Sequence, residues 1–190
     1  GPFGTAVRVI GEIDITNGSY RILFDGEKVK NGTAVGTAVD DTFRVPPSVK
    51  GNHNVTLVDV ASGNQSLPVT FNVTTSCYVS AEPARIQEGL NTTITVGVNG
   101  AEANTTYTLT INVTDPTSAH YNATLVLSTN ATGSGSNSTL YYGNFSTDAN
   151  TNYVGTYTIA VNGTLTTGNF TVGLTDKLEY RRIDNVLIRG

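Results

Sequence analysis

The chain has 190 residues, with 11 basic and 15 acidic side chains and a formal charge of −4. Charged residues are 14% of the total, well below the ordinary quarter, and no dense basic patch offsets the acidic balance, which argues against a nucleic-acid partner. The length allows one large or two small domains, the single Cys77 excludes an internal disulfide, and no apolar run is long enough to cross a membrane.

In chain order the pattern is one of short strands. Val7 and Val9 alternate with polar residues and predict a first strand, and Tyr20–Phe24 a second, ended by the turn pair Asp25-Gly26. The stretch Val29–Val39 is weakly patterned and interrupted by glycine. Phe43 and Val45 predict a short strand stopped by Pro46-Pro47, which suits a sheet edge or corner. Strands at 54–60 and 68–74 follow, because Val55 and Leu57, then Phe71 and Val73, alternate with polar residues. Residues 74–87 read as a break, punctuated by Glu82-Pro83 and Glu88-Gly89. Alternation resumes at Thr92, Ile94, Val96 and Val98, and is cleanest at Tyr107, Leu109, Ile111 and Val113, closed by Asp115-Pro116. Thr124–Ser128 predicts a further strand, Ala131–Thr139 a flexible exposed loop, and Tyr141–Phe145 another strand. No stretch has helical periodicity.

The segment Gly51–Val73 returns as Gly155–Val172, with Tyr157, Ile159 and Val161, then Phe170 and Val172, at the inward positions. Tyr20–Phe24 corresponds in the same way to Tyr107–Ile111, and Val7 and Val9 to Ile94 and Val96. A repeat of short strands with turn signals predicts an all-β chain of two sandwiches in tandem, 1–75 and 76–176. Residues 177–190 are left over. Val186 and Ile188 alternate there and echo Val7–Gly11, so this tail reads as a connector or the first strand of a further module, or else as an edge strand of the second domain. Its Lys177, Arg181, Arg182 and Arg189 are interspersed with Glu179 and Asp184, which suits a solvated connector or a subunit contact. The chain does not begin with Met and carries no signal peptide, so it reads as a processed chain or an excised piece.

With these positions in place, residues 1–75 resemble the immunoglobulin-like IPT/TIG family. The resemblance is carried by Gly4-Thr5-x-Val7-x-Val9-x-Gly11, Phe24-Asp25-Gly26, Val45-Pro46-Pro47, Gly51-x-x-x-Val55-x-Leu57, Gly63 and Phe71-x-Val73. The second half is similar but more divergent and lacks the Phe-Asp-Gly turn and the Pro-Pro pair. With its Asn/Thr-rich composition, the tandem looks like modules of archaeal surface proteins, as in S-layers and extracellular filaments. That resemblance implies repeated immunoglobulin-like modules, export, heavy glycosylation and a structural role, with strand donation between subunits in some such filaments.

The strongest local signal is the Asn-x-Ser/Thr triplet, the acceptor for N-linked glycans. Asn17, Asn31, Asn54, Asn64, Asn72, Asn91, Asn104, Asn112, Asn122, Asn130, Asn137, Asn144, Asn162 and Asn169 each head one, 14 of the 19 asparagines. Asn54, Asn72, Asn112, Asn162 and Asn169 alternate with apolar residues, so strand parity aims them at solvent. Sugars there would supply the hydration that the scarce charges do not, and would shield sheet edges from uncontrolled pairing. The bland alternative is a Thr/Asn-rich surface without sugars.

Catalytic groupings are poor. His53 reads as an outward strand residue and His120 as a loop residue, and neither predicts a metal site or a general base. Cys77 has no nearby histidine and reads as a packing thiol. Asp40-Asp41 reads as a turn. Calcium has only the loose candidates Glu82, Glu88 and Asp176, without an EF-hand pattern. The expectation is therefore a non-enzymatic, extracellular, cell-surface glycoprotein with no cofactor beyond its glycans. It would meet identical subunits or tandem modules through Val7, Val9, Val186 and Ile188, without nucleic acid or a transmembrane segment. The alternatives are an adhesin or carbohydrate-binding module, and an accessory domain of a secreted glycosidase or protease.

Overall fold

In a computed structural model the chain is almost entirely β. Residues 1–146, 148–162, 165–175, 185, 186 and 188 are described. Two compact units form: one of Gly1–Ser76 with Asn99–Ala103 and Asn130–Ser134, the other of Cys77–Val98, Asn104–Thr129 and Gly135–Gly190.

Unit 1 has six strands: β1 (Ala6–Glu12), β2 (Ser19–Phe24), β3 (Glu27–Thr33), β4 (Ala38–Arg44), β5 (Gly51–Asp59) and β6 (Val69–Val73). β1 and β4 pair as one small sheet, and the other four form a second in the order β3-β2-β5-β6, all antiparallel. Asp25 and Gly26 both have positive φ, 50° and 85°, the backbone that a two-residue hairpin between right-twisted strands requires. β3 was only weakly marked in the sequence because it is an outermost strand whose exposed side chains, Glu27, Lys28 and Lys30, are charged. Charge of this kind discourages pairing with foreign strands. Ile22, Phe24, Val39, Phe43, Val45 and Val73 are almost fully buried and, with Val55 and Leu57, make the core. Residues of both sheets contribute, which makes the unit sandwich-like.

Unit 2 adds β7 (Ser76–Glu82), β8 (Arg85–Gln87), β9 (Thr93–Asn99), β10 (Thr106–Thr114), β11 (His120–Ser128), β12 (Gly135–Leu140), β13 (Gly155–Val161) and β14 (Thr166–Gly173). One sheet runs β12-β9-β7 and the other β11-β10-β13-β14-β8, where the β14–β8 pair is parallel. Its core centres on rings: Tyr157 stacks on Phe170 at 4.8 Å, and the fully buried Tyr141 tilts against both.

Three expectations are corrected here. The break at 74–87 contains β7 and β8. In β7 the inward side chains Cys77, Val79 and Ala81 are small, while the outward Tyr78 lies over Gly97, where a Cβ would collide with its ring. The hydrophobic contrast is thus inverted, and the alternation is disguised. The loop at 131–139 contains most of β12, a polar strand whose pairing with β9 supplies the stability its composition does not. Tyr141–Phe145 is not a strand: Tyr141–Asn144 is a four-residue helical turn broken by the non-helical Tyr142 and Gly143.

The repeat is visible in register. Gly51 pairs with Val73 and His53 with Phe71; Gly155 pairs with Val172 and Tyr157 with Phe170. Phe170 is fully buried, whereas Phe71 at the matching place is only partly so. Truncation should therefore weigh differently in the two units. Phe170→Ala is expected to cost about 3–5 kcal/mol, and Phe71→Ala roughly half as much, in proportion to the area it withholds from water. Urea unfolding of the full-length chain, with each unit followed by its own probe, measures both; equal losses would contradict the comparison.

Candidate functional site

The fourteen triplet asparagines share one property. Twelve are exposed, Asn91 and Asn112 are partly buried, and none is buried. On β5, β6 and β14, Asn54, Asn72 and Asn169 sit between the inward Val55, Phe71, Val73 and Phe170, because adjacent strand residues face opposite ways. Asn112 and Asn122 are direct cross-strand partners on β10 and β11, and the Asn112 amide donates to the Asn122 side-chain oxygen at 2.7 Å. Asn17, Asn104 and Asn162 occupy positive-φ corners, a conformation that Asn tolerates better than most residues. Of the eight outermost strands among the described residues, four carry one such asparagine each: Asn31 on β3, Asn72 on β6, Asn122 on β11 and Asn137 on β12.

The residues weighed as chemistry have structural partners instead. His53 is buried, not outward: β5 starts at Gly51, so His53 shares the parity of Val55 and Leu57. Its ring stacks on Phe24 at 5.0 Å, with Nδ1 at 2.5 Å from an Asp25 carboxylate oxygen and Nε2 at 2.9 Å from the Val49 carbonyl. His120 opens β11 rather than lying in a loop, exposed and 2.9 Å from the Thr114 hydroxyl. Asp40 and Asp41 lie on strand β4, not in a turn. Arg8 bonds both oxygens of Asp40, while Asp41 accepts from Tyr20 and faces Lys30 at 3.5 Å. Burial, then the bond to Asp41, pushes the Tyr20 hydroxyl up to about 12. Cys77 is half-buried, and burial raises its thiol above the ordinary value. Of the calcium candidates, Asp176 lies outside the described residues, among which no three His, Cys, Asp or Glu side chains gather.

Two buried carboxylates, Asp59 and Asp115, lock strand ends. Asp59 accepts from the amides of Ala61 and Ser62 with one oxygen and of Asp14 and Ile15 with the other. Asp115 accepts from the amides of Thr117 and Ala119, the Thr117 hydroxyl and the Tyr121 hydroxyl. Burial opposes ionisation at both, but these donors outweigh it and hold each carboxyl below the usual carboxylate range.

Of the expected contact residues, Val7 and Val9 lie half-buried on β1, which is paired with β4 on one side. Val186 and Ile188 are exposed, and Ile188 makes an isolated bridge with Thr175; most of 177–190 lies outside the described residues. No helix among the described residues is long and apolar enough to cross a membrane. No protein-family model matches the chain, and no curated protein matches it either.

The locks carry a pH signature. A carboxylate with a depressed folded pKa contributes stability that is complete above its unfolded value, about 3.9 for Asp, and lost as pH falls through the folded value. Asp59→Asn and Asp115→Asn are expected to lower Tm at neutral pH, the former more, because an amide turns its NH2 against two backbone donors. Each variant should also flatten the acid limb of Tm measured between about pH 2 and pH 7. An acid limb as steep as that of the unaltered chain would contradict the assignment.

Proposed function

We propose that this chain is a structural subunit of a heavily N-glycosylated extracellular surface assembly, a filament or layer of the archaeal kind. Its units are read as tandem immunoglobulin-like sandwiches. In each, a small sheet of two or three strands is accompanied by a larger one of four or five, and residues of both sheets make the core. The observation that carries the functional reading is the placement of the acceptor asparagines: fourteen triplets and not one of their asparagines buried, including Asn54, Asn72 and Asn169 on strands whose neighbouring residues face the core. A glycan needs its nitrogen at the surface, and a sheet face bearing Thr and Asn in place of charge needs another source of hydration.

The same placement supports a role for sugars at strand edges, since four outermost strands carry an acceptor. The subunit works by cohesion, without turnover. Its histidines and paired carboxylates support that reading by serving hydrogen bonds and ion pairs within the fold. Copies join through their terminal strands.

In protein harvested from its native source, peptides spanning the fourteen asparagines are expected to carry glycan masses and to lose them on deglycosylation. Native peptides of bare mass at all fourteen asparagines would overturn the reading.

A further inference from the structure

Unit 2 shows how a gap in unit 1 can be filled. β9 has β12 on one side and β7 on the other, and β14 has β13 on one side and β8 on the other. Their counterparts in unit 1, β1 and β6, have β4 and β5 as single strand partners. Among the described residues no strand lies on the far side of β1. Beside β6 there is only Gly1, whose amino group donates to the Asn72 carbonyl and whose carbonyl accepts from the Thr74 amide. Gly1 therefore lies next to Val73 as Ile86 lies next to Val172.

The consequence is measurable in burial. Ile94, Val96 and Phe170 are fully buried, while Val7, Val9 and Phe71 at the matching places are not. Between β1 and β6 runs an apolar groove of about 310 Å³, lined by Val7, Val9, Val55, Leu57, Val69 and Phe71. Val69 is 68% exposed. β1 carries no glycan-acceptor triplet, and the Asn72 amide on β6 is turned to the outer face, where it bonds Asn52.

The chain order says what fits. β7 and β8 follow the last strand of unit 1, with Gly89 lying 16 residues after Val73 (89 − 73). After unit 2, Gly190 lies 18 residues after Val172 (190 − 172). Tyr180–Gly190 thus stands after unit 2 where Tyr78–Gly89 stands after unit 1. Each segment opens on Tyr, carries Ile near its end and closes on Gly. Val186 and Ile188, 51% and 67% exposed, have the two-residue spacing that puts both on one face of a strand.

We propose that the groove between β1 and β6 accepts one extended strand, and that this strand is the C-terminal segment around Val186 and Ile188 of a second copy of the chain. This rests on the reading above that copies assemble, and adds which surface meets which segment. The unpaired backbone groups of β1 and β6 supply the hydrogen bonds, and the two apolar side chains enter the groove. Because donor and acceptor differ, each added copy leaves one of each open, and the contact propagates as a filament.

The test uses the recombinant, unglycosylated 190-residue chain. Val69→Asp blocks the acceptor at an exposed position, and Ile188→Asp blocks the donor. By analytical ultracentrifugation the unaltered chain should form a ladder of oligomers, and each variant alone should associate at least about tenfold more weakly. An equimolar mixture should form dimers and nothing longer, since it retains one working contact. Hydrogen exchange should slow at the β1 amides only in the assembled state, a readout independent of the variants. Variants that assemble like the unaltered chain, a mixture that stays monomeric, or an unaltered chain that never associates would each overturn the proposal. So would β1 protection that is the same at all concentrations, which would mean the chain fills its own groove. Association here with bare native peptides at the fourteen asparagines would sink only the glycan reading; glycans without this association would sink only the strand contact.

Discussion

An outermost β-strand presents a row of backbone N–H and C=O groups that the sheet itself does not pair. The organisation of both units follows from how those rows are closed. In unit 2, β7 and β8 lie on the outer sides of β9 and β14, and the side chains beneath them are sealed: Ile94, Val96, Phe170 and Val172 have no exposed surface. In unit 1 no strand among the described residues covers the matching sides of β1 and β6, and Val7, Val9 and Phe71 are only partly buried, although Val73 is sealed. The two units are built on one pattern and differ chiefly in whether that closure comes from within the described chain.

Other edges are managed by composition. β3 carries charge, and β3, β6, β11 and β12 each carry an acceptor asparagine. The sheet faces follow the same logic with few ionic groups. Thr110 faces Thr124 and Asn112 faces Asn122 across β10 and β11, so polar side chains satisfy one another laterally. Two buried carboxylates are satisfied locally too. Asp59 and Asp115 each gather donors from the turn that follows their strand, which ties strand ends to loops without a disulfide.

The proposed role draws these observations together. A surface rich in acceptor asparagines suits a molecule that stands in the open, and an apolar groove between two strand edges suits one that stands among copies of itself. Both readings ask for durable contact. Backbone pairing along an edge meets that need through many weak bonds made together, and the apolar side chains beneath add burial without demanding a catalytic geometry.

Much of this was legible in the residues alone. Alternation marks β2, β5, β9, β10 and β13, and Asp25-Gly26 marks its hairpin. The recurrence of Gly51–Val73 at Gly155–Val172 predicts two similar units, and parity aims Asn54, Asn72 and Asn169 outward; these are local properties, written in neighbouring side chains. What the chain could not announce depends on distant partners. β12 is a strand because β9 lies beside it, and β7 is one although its small residues face inward and its tyrosine outward. His53 is different: it shares the parity of Val55 and Leu57, a local signal that the outward reading passed over. The open side of β1 exists only relative to strands far away in sequence, and pairing across such separations is decided by the assembled sheet, which the period of a single strand does not encode.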